Sequence, residues 1–386
     1  MSRSVRGFWV TTVAVTLAAS CTVGGATAAA APPAAELRLN QLQVIASHNS
    51  YHRELSRAEK DVQRTRDPNW WNLEYSHAAL TTQFAEQRVR SVELDLFPDP
   101  AGGLYTAPLV RRDAGLGPLT DPALARPGIK VLHWADHDYG SVCPTLVGCL
   151  RELRSWSQAN PGHVPIPVLL ELKVTDPALE KRGGAVSPRW DTARLDELDA
   201  EIRAVLGDRL ITPDDVRRPG RTLEQSVLAG GWPTLSRARG RFLFLMDNAG
   251  AEYSEPYLRG RPNLEGRVLF TNAVPGRPDA AFVKRNNPAG QEARVIAELV
   301  RRGYYVRTRS DEPFAEASSG DTGRLTAALA SGAQVVSTDF PAPGLAARYG
   351  SEYVARLPGW AVARCNPVTT GPATPRCGRP LEPAPR

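Results

Sequence analysis

Short runs of apolar and β-branched residues recur along this chain, and nearly all of them stop on an imidazole, amide or charged side chain. The runs are LQVIAS (42–47), RSVELDLF (90–97), KVLH (130–133), IPVLLEL (166–172), RFLFLMD (241–247), RVLFTN (267–272), YYVRTR (304–309) and AQVVSTD (333–339). Apolar runs of this length suit strands covered on both faces, as in a parallel sheet. Helical patterns lie between several of them. ARLDELDAEIRAVLG puts Leu195, Leu198, Ile202 and Val205 on one face before Gly207, and CLRELRSWSQANPG carries Leu150, Leu153 and Trp156 at helical spacing before Pro161. QEARVIAELVRRG and TGRLTAALASG likewise end at glycine. Some eight strands alternating with helices predict an α/β fold, a single TIM-like (β/α)8 barrel with long βα loops over 36–360.

The strand ends carry the functional reading. In a parallel barrel every strand C-terminus opens on one face, so groups remote in sequence converge there. The terminating groups are His48 and Asn49, Glu93 and Asp95, His133, Glu171 and Lys173, Asp247, Asn272, Arg307 and Arg309, and Asp339.

Within VELDL, Glu93 and Asp95 stand two residues apart on a strand and therefore point to the same side. Two neighbouring carboxylates repel, and a hard divalent cation removes that cost. With Glu171 and the amide oxygen of Asn49 they make four oxygen ligands, a set that favours calcium over zinc. An isolated E-x-D is more often a solvated or salt-bridged pair; convergence with Asn49 and Glu171 favours the metal. His48 and His133 are the acid–base candidates, because imidazole titrates near neutrality. His52 and His137 are placed lower, as loop residues, and His77 and His163 are read as surface. Lys173, Arg307 and Arg309 are candidates to grip a phosphate or a ring hydroxyl.

The chain ends bear on compartment. The first thirty residues pair Arg3 and Arg6 with an apolar run from Phe8 to about Ala19 and small residues before Ala31, which reads as a secretory leader too short to span a bilayer. Cleavage near Ala30 would discard Cys21; cleavage before Cys21 would leave it as a lipid-anchored N-terminus. Four further cysteines, Cys143, Cys149, Cys365 and Cys377, suit an oxidising compartment, and pairing of neighbours is expected, Cys143 with Cys149 and Cys365 with Cys377. The formal charge of +6 drops by two with the leader, and no basic run interleaves with aromatics, which argues against nucleic acid. Residues 361–386 form a Pro-rich extension clipped by the last cysteine pair.

Seven stretches together, LNQLQVIASHNSYH, VELDLFPDPAGGLY, KVLHWADHDYGSVCPT, PVLLELK, GDRLITPDDV, RFLFLMDN and GAQVVSTDFP, resemble the bacterial calcium-dependent phosphatidylinositol-specific phospholipase C family, related to the X domain of eukaryotic phosphoinositide phospholipases. The resemblance runs from about Leu39 to Pro367. It implies that His48 stabilises the transition state and that Asn49, Glu93, Asp95 and Glu171 hold calcium. It also implies that His133 protonates the diacylglycerol oxygen while Glu93 or Glu171 takes the proton of the attacking inositol 2-hydroxyl. The partner implied is an inositol phospholipid at a membrane surface, met by a monomer without a transmembrane span. Relatives that act on ring-phosphorylated lipids place a lysine where this chain ends a strand at Asp247, which favours the unmodified head group. Trp70 and Trp71, in the long segment after the first strand, suit either a lipid interface or packing of their own loop.

Two other readings compete. Glycerophosphodiester phosphodiesterases and sphingomyelinase D-like proteins share the barrel and the E-x-D pair, but the former usually follow the first histidine with Arg-Gly, where this chain has Asn49 and Ser50. A non-catalytic lipid- or glycan-binding barrel would tolerate loss of a histidine or a carboxylate, and here all are present.

Overall fold

The eight apolar runs become eight of the eleven strands among the described residues of the computed structural model, which are 36–312, 314–371 and 377–383 and, of the first twelve, all but 3 and 6. In chain order the eleven are β1 Leu42–Ser47, β2 Val92–Phe97, β3 Lys130–Val131, β4 Ile166–Leu172, β5 Leu210–Ile211, β6 Phe242–Met246, β7 Leu269–Phe270, β8 Phe282–Lys284, β9 Tyr305–Arg309, β10 Val335–Thr338 and β11 Arg364–Cys365. One sheet runs β11-β1-β10-β9-β8, and the other β3-β2-β4-β6-β5 with β7 also on β6. Every pairing is parallel except β1 with β11 and β2 with β3. Two isolated parallel bridges, Ala46 with Ser91 and Asn272 with Phe282, lie between the sheets. The fold is thus mixed α/β with parallel sheets.

Two expectations need correction. KVLH was read as one of the parallel barrel strands, yet β3 is a two-residue stub antiparallel to β2, with Leu96 opposite Val131 and Phe97 opposite Lys130. An apolar run carries no direction, and the charged residue that opens this one turns inward. Lys130 Nζ, fully buried, donates to the carbonyls of Arg126 at 2.7 Å and Gly128 at 2.8 Å and lies 3.0 Å from Asp99 Oδ2. The parallel strands absent from the sequence reading are β5 and β8, two and three residues long, too short for a periodic signal.

The helices form where the spacing put them. Leu195, Leu198 and Ile202 have no exposure in helix Thr192–Leu206, which starts on the Asp191 carboxylate accepting from Arg194 N and stops at Gly207 with φ 53. Each such buried side chain contributes about 1.5–3 kcal/mol. Cys143–Cys149 and Cys365–Cys377 are disulfides, as neighbour pairing predicts. The Pro-rich end packs rather than trails: β11 pairs with β1, Leu381 is buried in the main core, and Glu382 takes the Arg90 guanidinium.

Residues Met1–Ala35 form a separate compact unit in which Phe8 and Trp9 are fully exposed. Cys21 and most of the expected leader lie outside the described residues. Among the described residues no helix is long and apolar enough to cross a membrane.

Candidate active site

Strand register builds the acidic centre. Glu93 and Asp95 project from one side of β2, and β2 pairs with β4 so that Asp95 lies opposite Glu171. Oxygens of all three carboxylates lie within 4.8 Å of one another. Two protein cations partly offset this charge. Lys173 Nζ stands 3.3 Å from Asp95 Oδ2 and 3.2 Å from Glu171 Oε1, and Arg307 Nη2 donates to Glu93 Oε2 at 2.7 Å. Even so, both oxygens of Asp95 are buried without a hydrogen-bond partner. Burial, opposed by Lys173 and reinforced by Glu171 and Glu93, pushes the Asp95 carboxyl well above the usual range.

Asn49 occupies the turn after β1 with φ 44, a left-handed conformation that asparagine tolerates better than most residues. Ser50 locks that turn onto β2: its N–H donates to the Glu93 carbonyl at 3.0 Å, and its Oγ accepts from Glu93 N at 2.8 Å. Asn49 Nδ2 donates to Tyr75 Oη at 3.0 Å, leaving Oδ1 buried with no partner. The unpartnered buried oxygens of Asp95 beside the Glu93 and Glu171 carboxylates, and the unpartnered Oδ1 of Asn49 on the turn bonded to Glu93 through Ser50, are all oxygen donors, which suits a hard divalent cation.

Two histidines flank this centre, each with Nδ1 on a carboxylate. His48 Nδ1 lies 2.7 Å from Asp339 Oδ1, and its Nε2 faces Glu93 Oε1 at 3.9 Å. Arg309 Nη2 reaches the other Asp339 oxygen at 2.9 Å. Although burial would raise it, the Asp339 carboxyl is held far below the usual range by His48 and Arg309. His133 Nδ1 lies 2.8 Å from Asp138 Oδ2, and His52 Nε2 reaches the same oxygen at 2.7 Å. Burial pulls the His133 pKa down, against the pull of Asp138. For His52 burial also acts downward, but the Asp138 carboxylate outweighs it and the net shift is upward.

The structure therefore brings together Glu93, Asp95, Glu171 and Lys173, with His48 beside them, and sets Arg307 and Arg309 behind. Both arginines were candidates to grip substrate. Their side chains are only 2% and 9% exposed, against 22% for Lys173, and each is committed to a carboxylate, so they act as internal counter-charges. At the end of β6, Asp247 pairs with Lys284, and Asn272 Nδ2 donates to the Asp247 carbonyl at 3.0 Å. His133 comes to the site from a loop following an antiparallel stub, not from a parallel strand end.

Four residues escaped the sequence reading, and of these only His52 and Asp138 lie in the stretches SHNSYH and HWADHDYG, whose spacing flags a polar cluster but not which groups meet. His52 was set aside as a loop residue and is fully buried, stacked on Tyr75 at 4.3 Å and bonded to Asp138. Asp138, Tyr75 and Asp339 as a histidine partner were not singled out. His77 and His163, read as surface, are each 1% exposed. His77 Nε2 donates to the His48 carbonyl at 2.8 Å, and His163 packs between Trp156 and Phe242. Sequence does not distinguish a histidine satisfied inside a core from one in water.

Comparison with known proteins gives the family and the fold. The family model for "Phosphoinositide phospholipase C, Ca2+-dependent" matches residues 37–367. Among solved structures, a calcium-dependent phosphoinositol-specific phospholipase C from a Gram-negative Pseudomonas species superposes with a TM-score of 0.51 at 15% identity, over 86% of this chain and 96% of that one. The calcium-dependent phosphatidylinositol-specific phospholipase C of Streptomyces antibioticus gives a TM-score of 0.50 at 20% identity, over 79% of this chain and 95% of that one. At such identities the likeness is one of fold. No curated protein sequence matches the chain. The family match spans nearly all of the larger unit, and on that basis the chain belongs to the calcium-dependent phosphoinositide phospholipase C family.

Proposed function

We propose that this protein cleaves phosphatidylinositol, or a closely related inositol phospholipid, to diacylglycerol and inositol 1,2-cyclic phosphate. The observation that carries the reading is the trio Glu93, Asp95 and Glu171 flanked by two histidines that are each oriented by a carboxylate. In the reaction the inositol 2-hydroxyl oxygen bonds to phosphorus, and the bond from phosphorus to the glycerol oxygen breaks. The hydroxyl proton passes to Glu93 or Glu171. His48, with Nδ1 held by Asp339, offers Nε2 to a phosphoryl oxygen, and His133 Nε2 gives its proton to the departing glycerol oxygen. Asn49, Glu93, Asp95 and Glu171 would hold calcium, which supplies charge neutralisation at the phosphoryl oxygens and lowers the hydroxyl pKa.

The finer architecture follows the same line. The single bridges Ala46–Ser91 and Asn272–Phe282 support a reading of the two sheets as halves of one distorted (β/α)8 barrel, with these groups at its mouth. Trp71, Val174, Val186 and Val274 are exposed apolar residues in segments that follow β1, β4 and β7, and they support a lipid-facing rim. Residues 1–30 are read as a leader for export.

The test is to incubate purified protein with phosphatidylinositol vesicles, with calcium or with chelator, and to follow phosphorus by NMR. A cyclic phosphate resonance that needs calcium is the expected result. Turnover of glycerophosphodiesters alone would replace this reading with that of a glycerophosphodiester phosphodiesterase.

A further inference from the structure

The reaction proposed above gives His133 a task but leaves unexplained why a second, buried histidine faces the same carboxylate. Asp138 Oδ2 is 2.8 Å from His133 Nδ1 and 2.7 Å from His52 Nε2. The other Asp138 oxygen is buried without a partner, so one oxygen serves both rings. His52 is fixed from its far side as well, with Nδ1 at 3.0 Å from the Tyr75 carbonyl and its ring stacked on the Tyr75 ring. Exposure falls steadily inward: His133 keeps 24%, Asp138 1% and His52 0%. Only the outermost of the three meets the mouth.

The backbone is built to hold this row. Trp134 and Asp138 exchange both main-chain hydrogen bonds, at 3.0 and 2.7 Å, which folds the loop so that His133 and Asp138 meet. The next residues run antiparallel to the segment carrying His52, through a His52–Ser141 bridge, Val142 N to the Tyr51 carbonyl at 2.8 Å, and Arg53 N to the Gly140 carbonyl at 3.1 Å. The approach is so close that a Cβ on Gly140 would lie 2.0 Å from the Arg53 carbonyl oxygen.

We infer that Asp138 and His52 are positioning residues for the acid step: Asp138 accepts Nδ1–H from His133 and turns its Nε2 toward the leaving glycerol oxygen, while His52 anchors Asp138 from behind. A carboxylate on Nδ1 keeps a proton there throughout, so the proton that departs is the one on Nε2. The bond broken is Nε2–H and the bond formed is O–H on the glycerol. His133 is left neutral with its remaining proton on Nδ1. The acid step rests on the phospholipase reading; the ring orientation does not.

The experiment compares the wild-type chain with Asp138→Asn, His52→Asn, His133→Ala and the Asp138→Asn/His133→Ala double variant. Each is assayed on phosphatidylinositol and on an aryl inositol phosphodiester, whose phenolate leaves without a proton. Nitrogen-15 NMR of the histidine rings reports the His133 tautomer. Asp138→Asn should lower kcat on phosphatidylinositol by about 100-fold. Its KM should stay within about threefold and its loss on the aryl substrate below about fivefold. His52→Asn should repeat the pattern at about tenfold. The double variant should be no worse than His133→Ala, and wild-type His133 should carry its neutral-state proton on Nδ1. Equal losses on both substrates, additive losses in the double variant, or a proton on Nε2 in the neutral wild-type ring would overturn the inference. If Asp138→Asn does not fold, His52→Asn and the wild-type tautomer decide. A wild type inert on both substrates would instead remove the phospholipase reading, and the tautomer would still test the role of Asp138.

Discussion

The two histidine–carboxylate pairs share one geometry, Nδ1 on a carboxylate, but stand on unlike foundations. His48 and Asp339 stand at the ends of neighbouring parallel strands, β1 and β10, and the balancing cation, Arg309, ends the next strand, β9. His133 and Asp138 share one loop, and the group that balances them, His52, comes from another loop stitched to it by main-chain bridges and braced by the Cys143–Cys149 disulfide. A sheet fixes its side chains by register, so the first pair inherits the rigidity of the core. The second depends on a glycine contact and a crosslink. The difference also bears on charge: Asp339 meets a permanent guanidinium, Arg309, beside the His48 imidazole, whereas the two groups bonded to Asp138 are both titratable imidazoles.

The largest expected effect separates the pairs by chemistry. His48→Ala and His133→Ala should each reduce kcat on phosphatidylinositol by about 10³-fold. On the aryl substrate only His133→Ala should recover, since its proton is no longer needed; recovery of both would erase the distinction between them. Next in size, Arg309→Met leaves Asp339 and the buried Asp311, 3.9 Å from that guanidinium, without their cation. The expected loss is about 3–5 kcal/mol of unfolding free energy, read by urea denaturation. The same measurement on Cys143→Ala/Cys149→Ala should show about 2 kcal/mol, since the closed loop is short. That variant should slow cleavage of phosphatidylinositol and spare the aryl substrate, which Arg309→Met should not.

The smallest effect provides a control remote from both pairs. Burial lowers His163 to about 4 from 6.5, so the folded state holds it neutral while the unfolded chain protonates it. Its contribution is fully present above pH 6.5 and is lost as pH falls toward 4, about 1 kcal/mol of it by pH 5.5. His163→Gln should therefore flatten the decline in stability between pH 7.5 and 5.5. An unchanged decline would mean that the acid sensitivity lies elsewhere, with the two histidine pairs the next place to look.

This contrast also marks how far the sequence could be read. Glu93, Asp95 and Glu171 were legible because a strand alternates its side chains and parallel strands open on one face, two rules that need no coordinates. The same rules placed His48 and Asn49 at the end of β1, where His48 Nε2 faces Glu93. They failed at KVLH, because a run so short does not state its direction and Lys130 finds its carbonyls only in three dimensions. They failed again at His52 and Asp138, which meet through pairing between two loops, and no local pattern encodes that. Arg307 and Arg309 show a third limit: the sequence gives the charge at a strand end but not whether a carboxylate has already claimed it.

His48 and Asp339 are 291 positions apart, whereas His52 and Asp138 are 86 apart. A ribosome will have made the entire proton-donating side long before the other histidine has a carboxylate to lean on. Until β10 emerges and docks beside β1, a growing chain holds His48 without the carboxylate that fixes its ring.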